Sequence, residues 1–490
     1  MPLGSPIGDS TGTLIEQLGG MSNRHGLISG ATGTGKTVTL QVLAEGFARA
    51  GVPVFAADIK GDLSGIAAPG KPHKEINRRL GLMPTLAYEQ TGYPAVFWDI
   101  FGKSGHPVRT TVSEFGPLIL ANLLELNDTQ TGVLYACFAI ADDEGLLLLD
   151  LKDLRSLLNW MAENRKALAA EYGNIATASV GAIQRRLLIL EEQGAEHFFG
   201  EPTLSLADLM RTDFSGKGLI NLLDATRLTQ TAPRLYAAFL IWLLSELFEE
   251  LPERGDEDLP VLALFFDEAH LLFRDAPKPL LEKIEQVVRL IRSKGVGVYF
   301  ITQIPTDVPD PVLGQLGLKI QHALRAFTPR DRRVVKAVAD NFRTNPDIDV
   351  QQVVTELGTG EALVSVLDES GAPTPVEATL IRPPESRIGP LPAKQRKEIR
   401  KRSPISSHYD TSLDRESAYE LLQQRAELAA RREQAERAAE ERESRGRSKS
   451  KRRGRSRQSA GEAMLKSAAR SVGRSLGSRL IRGLLGSLLK

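Results

Sequence analysis

The stretch that decides the fold is Gly30-Ala31-Thr32-Gly33-Thr34-Gly35-Lys36-Thr37, which matches the pattern G-x-x-x-x-G-K-[ST]. Four polar or apolar residues, 25–28, lead into it, and residues 38–43 continue at helical spacing. This order predicts a strand, a glycine-rich turn and the start of a helix. The glycines let successive N–H groups face one anion, and the helix N-terminus adds partial positive charge. The stretch therefore predicts a P-loop that binds the phosphates of a nucleotide.

Each part of this loop has an expected role. Lys36 would reach the β- and γ-phosphates, and the hydroxyl of Thr37 would hold Mg²⁺. The alternative interpretation is a Gly/Thr-rich turn without a ligand. The residues predicted to bind the nucleotide are Gly30, Ala31, Thr32, Gly33, Thr34, Gly35, Lys36, Thr37 and Val38.

A second motif follows six apolar residues, 261–266, which lead directly into Asp267 and Glu268. Such a run is typical of a strand buried on both faces of a parallel sheet. An acidic pair at its end is the Walker B pattern. Asp267 would hold Mg²⁺, and Glu268 would polarise the water that attacks the γ-phosphate. The alternative is a surface Asp-Glu pair after a core strand.

A third candidate residue, Gln303, ends the next predicted strand, 296–302. An amide at this position would sense the γ-phosphate or position the attacking water, which makes Lys36, Glu268 and Gln303 the predicted catalytic set. A polar residue that caps a loop is the alternative. His270 has no second histidine at metal-ligand spacing, and we expect it to be structural or a relay rather than catalytic.

Strand and helix patterns alternate along the chain, which predicts an α/β fold with helices on both faces of a sheet. Residues 113–212 show helical periodicity alone, which predicts an all-helical subdomain inserted between strands. The predicted divisions are the two parts of the core, 1–112 and 213–384, the insertion 113–212, a linker with charged helix and basic tract at 385–461, and a terminal helix at 462–490. Strands are predicted near 26–28, 52–58, 96–100, 219–223, 261–266, 296–302, 361–367 and 376–382.

The C-terminal end differs from the rest in composition. Residues 385–415 are polar and contain prolines, which is typical of a linker, and 416–443 predict an Ala/Glu/Arg helix without an apolar stripe. The tract 444–458 is basic and of low complexity, and we expect disorder there. In 462–490 apolar residues recur every four positions among lysines and arginines, which predicts a basic amphipathic helix. Such a helix would contact nucleic acid, a membrane surface or a protein, or form a solvated extension.

Charge is unevenly distributed along the chain. Residues 394–490 contain 26 Lys and Arg against 12 Asp and Glu, a net charge of +14. The whole chain has a net charge of +1, so residues 1–393 carry −13. This acidic body is unlike a uniformly basic nucleic-acid binder.

The compartment is predicted from cysteine usage and hydropathy. The single cysteine, Cys137, lies in an apolar run and fits a core thiol in a reducing cytosol. Residues 1–10 do not resemble a signal peptide, and the longest apolar stretch, 235–244, is too short to span a bilayer. We expect a cytoplasmic protein, with peripheral membrane contact through the terminal helix as the alternative.

Four motifs in order carry a family resemblance: Gly30–Thr37, Asp58–Asp62, Phe265–His270 and Gly295–Gln303. Together they resemble the HerA/FtsK superfamily of motor ATPases. More specifically, its layout resembles that of the bacterial group of HerA-like proteins known by a domain of unknown function. The resemblance implies a RecA-like ASCE core that uses ATP and Mg²⁺ at subunit interfaces, commonly in a hexameric ring that pumps DNA.

The resemblance also implies residue roles. Lys36, Thr37, Asp267, Glu268 and Gln303 take the positions of P-loop lysine, Mg²⁺ ligand, Walker B aspartate, catalytic glutamate and sensor. An arginine from a neighbouring subunit would complete the charge stabilisation. The candidates for this trans arginine follow the sensor strand, and they are Arg325, Arg330, Arg332 and Arg333.

Two other features qualify the resemblance. HerA has a β-barrel domain ahead of its P-loop, for which the residues before Gly30 leave no room. The string at 267–270, DEAH, also occurs in superfamily 2 helicases, but no second RecA-like lobe follows it.

Three functions are compatible with these patterns. The first is an ATP-driven DNA translocase or helicase-like motor. The second is an ATPase that moves protein or acts at a membrane, and the third is a nucleotide-dependent switch.

Overall fold

The computed structural model describes residues 1–450 apart from Ser10, Asp256, Asp275, Pro277, Ala326 and Phe327, and without the side chains of Arg330 and of residues 443–450. Contacts divide the chain into two units, Met1–Leu422 and Gln423–Lys490. Every predicted catalytic, nucleotide-binding and metal-ligating residue belongs to the first unit. The predicted helix at 462–490 lies outside the described residues.

The described strands form one eleven-stranded sheet in the order β2-β1-β11-β10-β9-β3-β8-β7-β4-β6-β5. Their bounds are β1 Pro2–Pro6, β2 Ile15–Glu16, β3 Gly26–Ser29, β4 Val54–Asp58, β5 Ala95–Trp98, β6 Ile220–Asp224, β7 Leu262–Phe266, β8 Val296–Thr302, β9 Leu318–His322, β10 Glu361–Ser365 and β11 Glu377–Ile381.

The described α-helices include long core helices and single turns. Their bounds are α1 Lys36–Arg49, α2 Lys74–Gly81, α3 Val112–Phe115, α4 Pro117–Leu123, α5 Asp128–Asp143, α6 Leu151–Tyr172, α7 Thr177–Glu192, α8 Leu206–Leu209, α9 Thr226–Thr231, α10 Pro233–Glu250, α11 His270–Phe273, α12 Lys278–Leu290, α13 Asp310–Leu313, α14 Pro329–Asp340, α15 Val350–Glu356, α16 Ala393–Arg402, α17 Ser406–Tyr409 and α18 Ala418–Ser450. None of the helices in the described part of the chain is long and apolar enough to cross a membrane.

The seven strands from β9 to β5 in the sheet order are paired in parallel. Strands β7 and β8 are buried along their whole lengths, as expected for a sheet covered on both faces. Strand β8 lies between β3, which leads into the P-loop, and β7, which leads into Asp267. The carboxyl ends of parallel strands meet at one edge, so this order brings the three predicted motifs together. It confirms the predicted α/β fold with a parallel-rich RecA-like core.

Four further strands extend the sheet antiparallel beyond β9. Strand β10 pairs with β9 and β11, and β11 pairs with β1, which pairs with β2. The N-terminal strands and β9 were not predicted from the sequence. Strand β9 reads Leu-Lys-Ile-Gln-His, a short and polar pattern that gives little strand signal.

Apolar layers cover the two faces of the sheet. On one face α1 packs through Leu40, Leu43 and Phe47. On the other face α10 and the helices between β5 and β6 share one continuous core. In the described chain, α3 to α8 follow β5 and precede β6. This placement matches a helical insertion, whereas the boundaries 1–112, 113–212 and 213–384 stay predictions.

Residues 385–415 pack on the first unit instead of forming an open linker. Ser386 is buried, and its N–H and hydroxyl both donate to Glu45 of α1. The ring of Tyr409 is fully buried, and its hydroxyl donates to Asp208 Oδ2 over 2.6 Å. These contacts give hydrogen-bond partners to polar groups that, from composition alone, would be expected to face solvent.

The charged helix is longer than predicted. Helix α18 contains most of 416–443 and continues to Ser450, so residues 444–450 are helical where disorder was expected. Extending an existing helix costs less than starting one, because the first turn is already formed. The rest of the basic tract lies outside the described residues.

Candidate active site

The P-loop connects β3 to α1 through three glycines with positive φ, 147° at Gly30, 79° at Gly33 and 119° at Gly35. A Cβ at Gly30 would lie 2.6 Å from the Cβ of His322, so a glycine is required there. A Cβ at Gly35 would lie 3.2 Å from the backbone of Gly360. The loop is thus packed against β9 and the turn before β10, and its shape is set by these contacts.

Lys36 lies at the first position of α1 and is buried. Its Nζ donates to the carbonyl oxygens of Gly30, over 2.6 Å, and Ala31, over 3.0 Å. Burial lowers the pKa of Lys36, the nearby charge of Lys60 lowers it further, and Glu268 opposes both. The ammonium group lies inside the loop that is predicted to bind the phosphates.

Asp267 is buried at the end of β7, and its Oδ1 accepts the N–H of Glu268 over 2.9 Å. Burial raises the pKa of Asp267 to about 6, against the opposing charge of Lys60. A carboxylate that is costly to ionise in isolation gains a partner when a divalent cation binds. The described residues contain no cluster of three or more His, Cys, Asp or Glu placed to hold a metal.

The oxygens of Asp267 and of the half-buried Thr37 fit a Mg²⁺ ion. This cation takes oxygen ligands, and it is commonly bound by one or two protein groups together with substrate phosphates and water. Thr37 stands one residue after Lys36 in the first turn of α1. The donor set therefore fits the predicted metal.

Glu268 adopts a backbone φ of 48°, a conformation that is uncommon for a residue with a Cβ. Its Oε1 lies 3.7 Å from Lys60 Nζ, and its Oε2 lies 3.3 Å from His270 Nδ1. The sequence predicts a structural or relay role for His270, and the structure places its ring in contact with the predicted catalytic glutamate. Positions 268 and 270 are two residues apart, and this spacing did not indicate the contact from the sequence.

Lys60 belongs to the Asp58–Asp62 motif, but the motif did not predict it as a site residue. It belongs to the loop after β4, which the carboxylate of Asp58 organises by accepting three backbone N–H groups. These donors are Gly61 over 2.7 Å, Asp62 over 3.2 Å and Leu63 over 3.1 Å. Because β4 is the neighbour of β7, this loop emerges beside the acidic pair. Lys60 is identified as a site residue by the order of the strands in the sheet, which was not predicted from the sequence.

Gln303 follows β8 directly and is exposed. Its carbonyl oxygen accepts the N–H of Gly30 over 3.2 Å, and Ser29 is the register partner of Thr302. The backbone of Gln303 therefore lies beside the first residue of the P-loop. Its role as a sensor stays a prediction.

The predicted trans-arginine candidates lie beyond β9. The guanidinium of Arg325 donates to the carbonyl of Thr355 over 3.2 Å, and Arg332 and Arg333 are exposed on α14. The side chain of Arg330 lies outside the description. A trans arginine would act across a subunit interface, and these four positions stay candidates for it.

A cavity of about 540 Å³ adjoins the P-loop. Gly35 and Val38 form part of its wall, and the segment after β11 forms another part. Arg79 of α2 lines it and donates to the carbonyls of Thr359, over 2.6 Å, and Gly360, over 3.1 Å. The cavity wall joins apolar side chains such as Val38 and Ile388, which suit a flat heterocyclic base, to charged ones such as Lys71 and Arg79.

These features define a class of protein. A parallel core that carries a P-loop after one strand and an Asp-Glu pair after another, with a third strand between them, is a RecA-like P-loop NTPase of the ASCE type. The chain belongs to the helicase HerA-like C-terminal family, whose profile matches residues 7–490. This confirms the resemblance that the four motifs indicated.

The chain is also similar to one curated protein and to solved structures. The DNA double-strand break repair helicase HerA of Sulfolobus acidocaldarius is 22% identical over 362 residues, which cover 70% of this chain and 62% of that protein. The chain thus spans less than two thirds of the length of this relative. The structure of VirB4 of Thermoanaerobacter pseudethanolicus is 17% identical, with a TM-score of 0.50 over 78% of this chain and 96% of that one, and it shows the fold alone. The conjugative coupling protein TrwB has a TM-score of 0.49 at 14% identity, over 76% and 92% of the two chains.

Proposed function

We propose that the protein is an ATP-hydrolysing motor that moves DNA. The observation that carries the proposal is the convergence of Lys36, Asp267, Glu268 and Gln303 at the carboxyl edge of one parallel sheet. The family assignment supports it, and so does the printed description of the HerA relative as a DNA repair helicase. The acidic body gives no independent support for DNA, which would be bound at other surfaces.

The residues divide the chemical work. The N–H groups of the P-loop and the Lys36 ammonium bind the phosphates, and the adjoining cavity takes the base. Thr37 and Asp267 would hold Mg²⁺, which would supply positive charge beside the phosphate groups. The carboxylate of Glu268 orients the attacking water and accepts its proton. The exposed amide of Gln303 senses the γ-phosphate.

A neighbouring subunit would complete this site. An arginine in trans, for which Arg325, Arg330, Arg332 and Arg333 are the candidates, would stabilise charge on the transferring phosphoryl group. The assembly that places it there is a homo-hexameric ring. In this arrangement hydrolysis in one subunit depends on its neighbour, and ring closure would surround the DNA.

The first test compares Glu268→Gln with the wild type. We expect Glu268→Gln to reduce the ATP turnover rate by about 100-fold or more, because a general base contributes on that order, while ATP binding is kept. Glu163→Gln changes an exposed glutamate of α6 in the same way and should leave turnover unchanged. Turnover by Glu268→Gln equal to that of the wild type would contradict the assigned role.

The second test concerns the cargo. Duplex and single-stranded DNA are added at low salt, and wild-type turnover should rise and then fall again as salt is increased. An ATPase that no nucleic acid stimulates would refute the DNA proposal. It would leave the protein-cargo motor and the nucleotide switch as the remaining functions.

A further inference from the structure

The carboxylate of Glu268 is approached by nitrogen groups from two sides without a hydrogen bond to its Oε2. Lys60 Nζ lies 3.7 Å from Oε1, beyond hydrogen-bond distance, and His270 Nδ1 lies 3.3 Å from Oε2. Oε2 is buried and has no hydrogen-bond donor among the described residues. The carboxylate is therefore held by charge and contact, and Oε2 keeps its capacity to accept a proton or a hydrogen bond.

The backbone around Glu268 is fixed in an unusual conformation. Its φ of 48° is disfavoured for glutamate and persists only where neighbouring contacts impose it. The Glu268 N–H donates to Asp267 Oδ1 over 2.9 Å, and the Ala269 N–H donates to the carbonyl of Ile301 on β8 over 2.8 Å. The start of the glutamate side chain is thus placed by the sheet.

The loop that carries Lys60 is also fixed in position. The Asp58 carboxylate fixes the loop that carries it, and β4 is the direct neighbour of β7. Burial is the largest cause of the lowered pKa of Lys36 and of the raised pKa of Asp267, and the charge of Lys60 is the next contribution to each. Its side chain is 40% exposed, whereas that of Glu268 is 14% exposed. A second cation thus lies at the site besides the P-loop lysine.

We propose that Lys60 is a positioning residue for the hydrolysis of ATP, which holds the Glu268 carboxylate in place by charge and leaves its oxygens free for the attacking water. This inference rests on the proposed function. A hydrogen-bond donor in the same place would occupy the lone pairs that a general base needs. An ammonium group at 3.7 Å gives attraction without that cost.

The kinetic test uses Lys60→Met, which keeps the length of the side chain and removes its charge. We expect kcat to fall about tenfold, since a general base that is misplaced by a fraction of an ångström loses much of its effect, while KM stays within about twofold. Lys60→Arg should recover most of the lost activity. Lys166→Met removes a charge from the exposed face of α6 and serves as the matched control. An unchanged kcat, or a raised KM with unchanged kcat, would overturn the proposal.

A second measurement needs no catalysis. Thermal unfolding without nucleotide is compared for the wild type, Lys60→Met, Glu268→Gln and the double variant. Lys60→Met should lower the melting temperature, because it leaves the Glu268 charge without its partner, and this loss should disappear in the Glu268→Gln background. A loss that persists in that background would refute the pairing. If the wild type does not hydrolyse ATP, the proposed function fails, whereas this cycle still decides whether the pair exists.

Discussion

His322 joins three parts of the site through one buried ring. Its Nδ1 lies 2.9 Å from the carbonyl oxygen of Glu361, which can only accept, so Nδ1 carries the proton. Its Nε2 then accepts from the Thr39 hydroxyl of α1 over 2.8 Å. Burial lowers the pKa of His322 to about 4, so the ring is neutral at physiological pH. The P-loop helix, β9 and β10 are thereby tied together beneath Gly30.

Replacing His322 by leucine should destabilise the protein and weaken nucleotide binding. The change leaves the buried Thr39 hydroxyl and Glu361 carbonyl without their partner, at a cost of about 1–3 kcal/mol for each such group. The melting temperature and the Kd for ATP measure the two effects. His197→Leu, at an exposed histidine, is the control and should change neither. A His322→Leu protein that melts and binds ATP like the control would show that the ring only fills space.

At the scale of elements, the predictability of the fold follows the strength of the local pattern. Strands β7 and β8 are continuous apolar runs, and both were predicted with bounds close to those observed. Strand β9 and the N-terminal strands are short or polar, and they exist because neighbouring strands offer them hydrogen-bond partners. Lys36, Asp267 and Glu268 were predicted from motifs whose residues are close together in the sequence. Lys60 and His322 reach the site through strand order and pairing, which no local pattern contains.

Helix α10 carries a titrating group that makes the stability depend on pH. Glu246 lines a cavity of about 440 Å³ together with Glu114 and Glu250. Burial, followed by the charges of these two glutamates, raises its pKa from 4.5 to about 7. Between these two values the folded chain keeps a proton that the unfolded chain has released. The stability from this group is therefore complete at low pH and is lost as the pH rises through 7.

The variant Glu246→Gln should remove this dependence. We expect a protein more stable than the wild type at pH 8 by on the order of 1 kcal/mol, a value reduced from the full pKa shift because the group is partly exposed and screened. The two proteins should differ little at pH 5. Melting temperatures at both pH values measure this, with Glu163→Gln as the control. An advantage that is equal at both pH values would contradict the raised pKa.

At the scale of the whole molecule, chemistry and basic charge lie in different units. The unit Met1–Leu422 contains every predicted catalytic residue. Residues 423–490 contain 19 Lys and Arg against 7 Asp and Glu. The described part of this second unit, as far as Ser450, is helical. Under the proposed function this basic segment would bind phosphate backbones by releasing counterions, which would make the binding sensitive to salt.

Truncation after Leu422 separates the two contributions. The shortened chain should keep ATP binding and its basal turnover, because the site belongs to the first unit. Stimulation by DNA should weaken, and its dependence on salt should become less steep. ATPase assays across a salt series with both proteins measure these effects. An identical salt dependence in the two proteins would place the DNA contacts wholly in the first unit.

The central position of β3 has a consequence for synthesis of the chain. Its two neighbours, β8 and β9, begin at Val296 and Leu318, about 270 and 292 residues after Gly26. At about 5–20 residues per second, a ribosome needs roughly 15–60 s to produce them after β3 has emerged. During this interval both edges of β3 lack their native partners. The nucleotide loop is therefore translated early and takes its final shape late, after both edges of the P-loop strand have been paired.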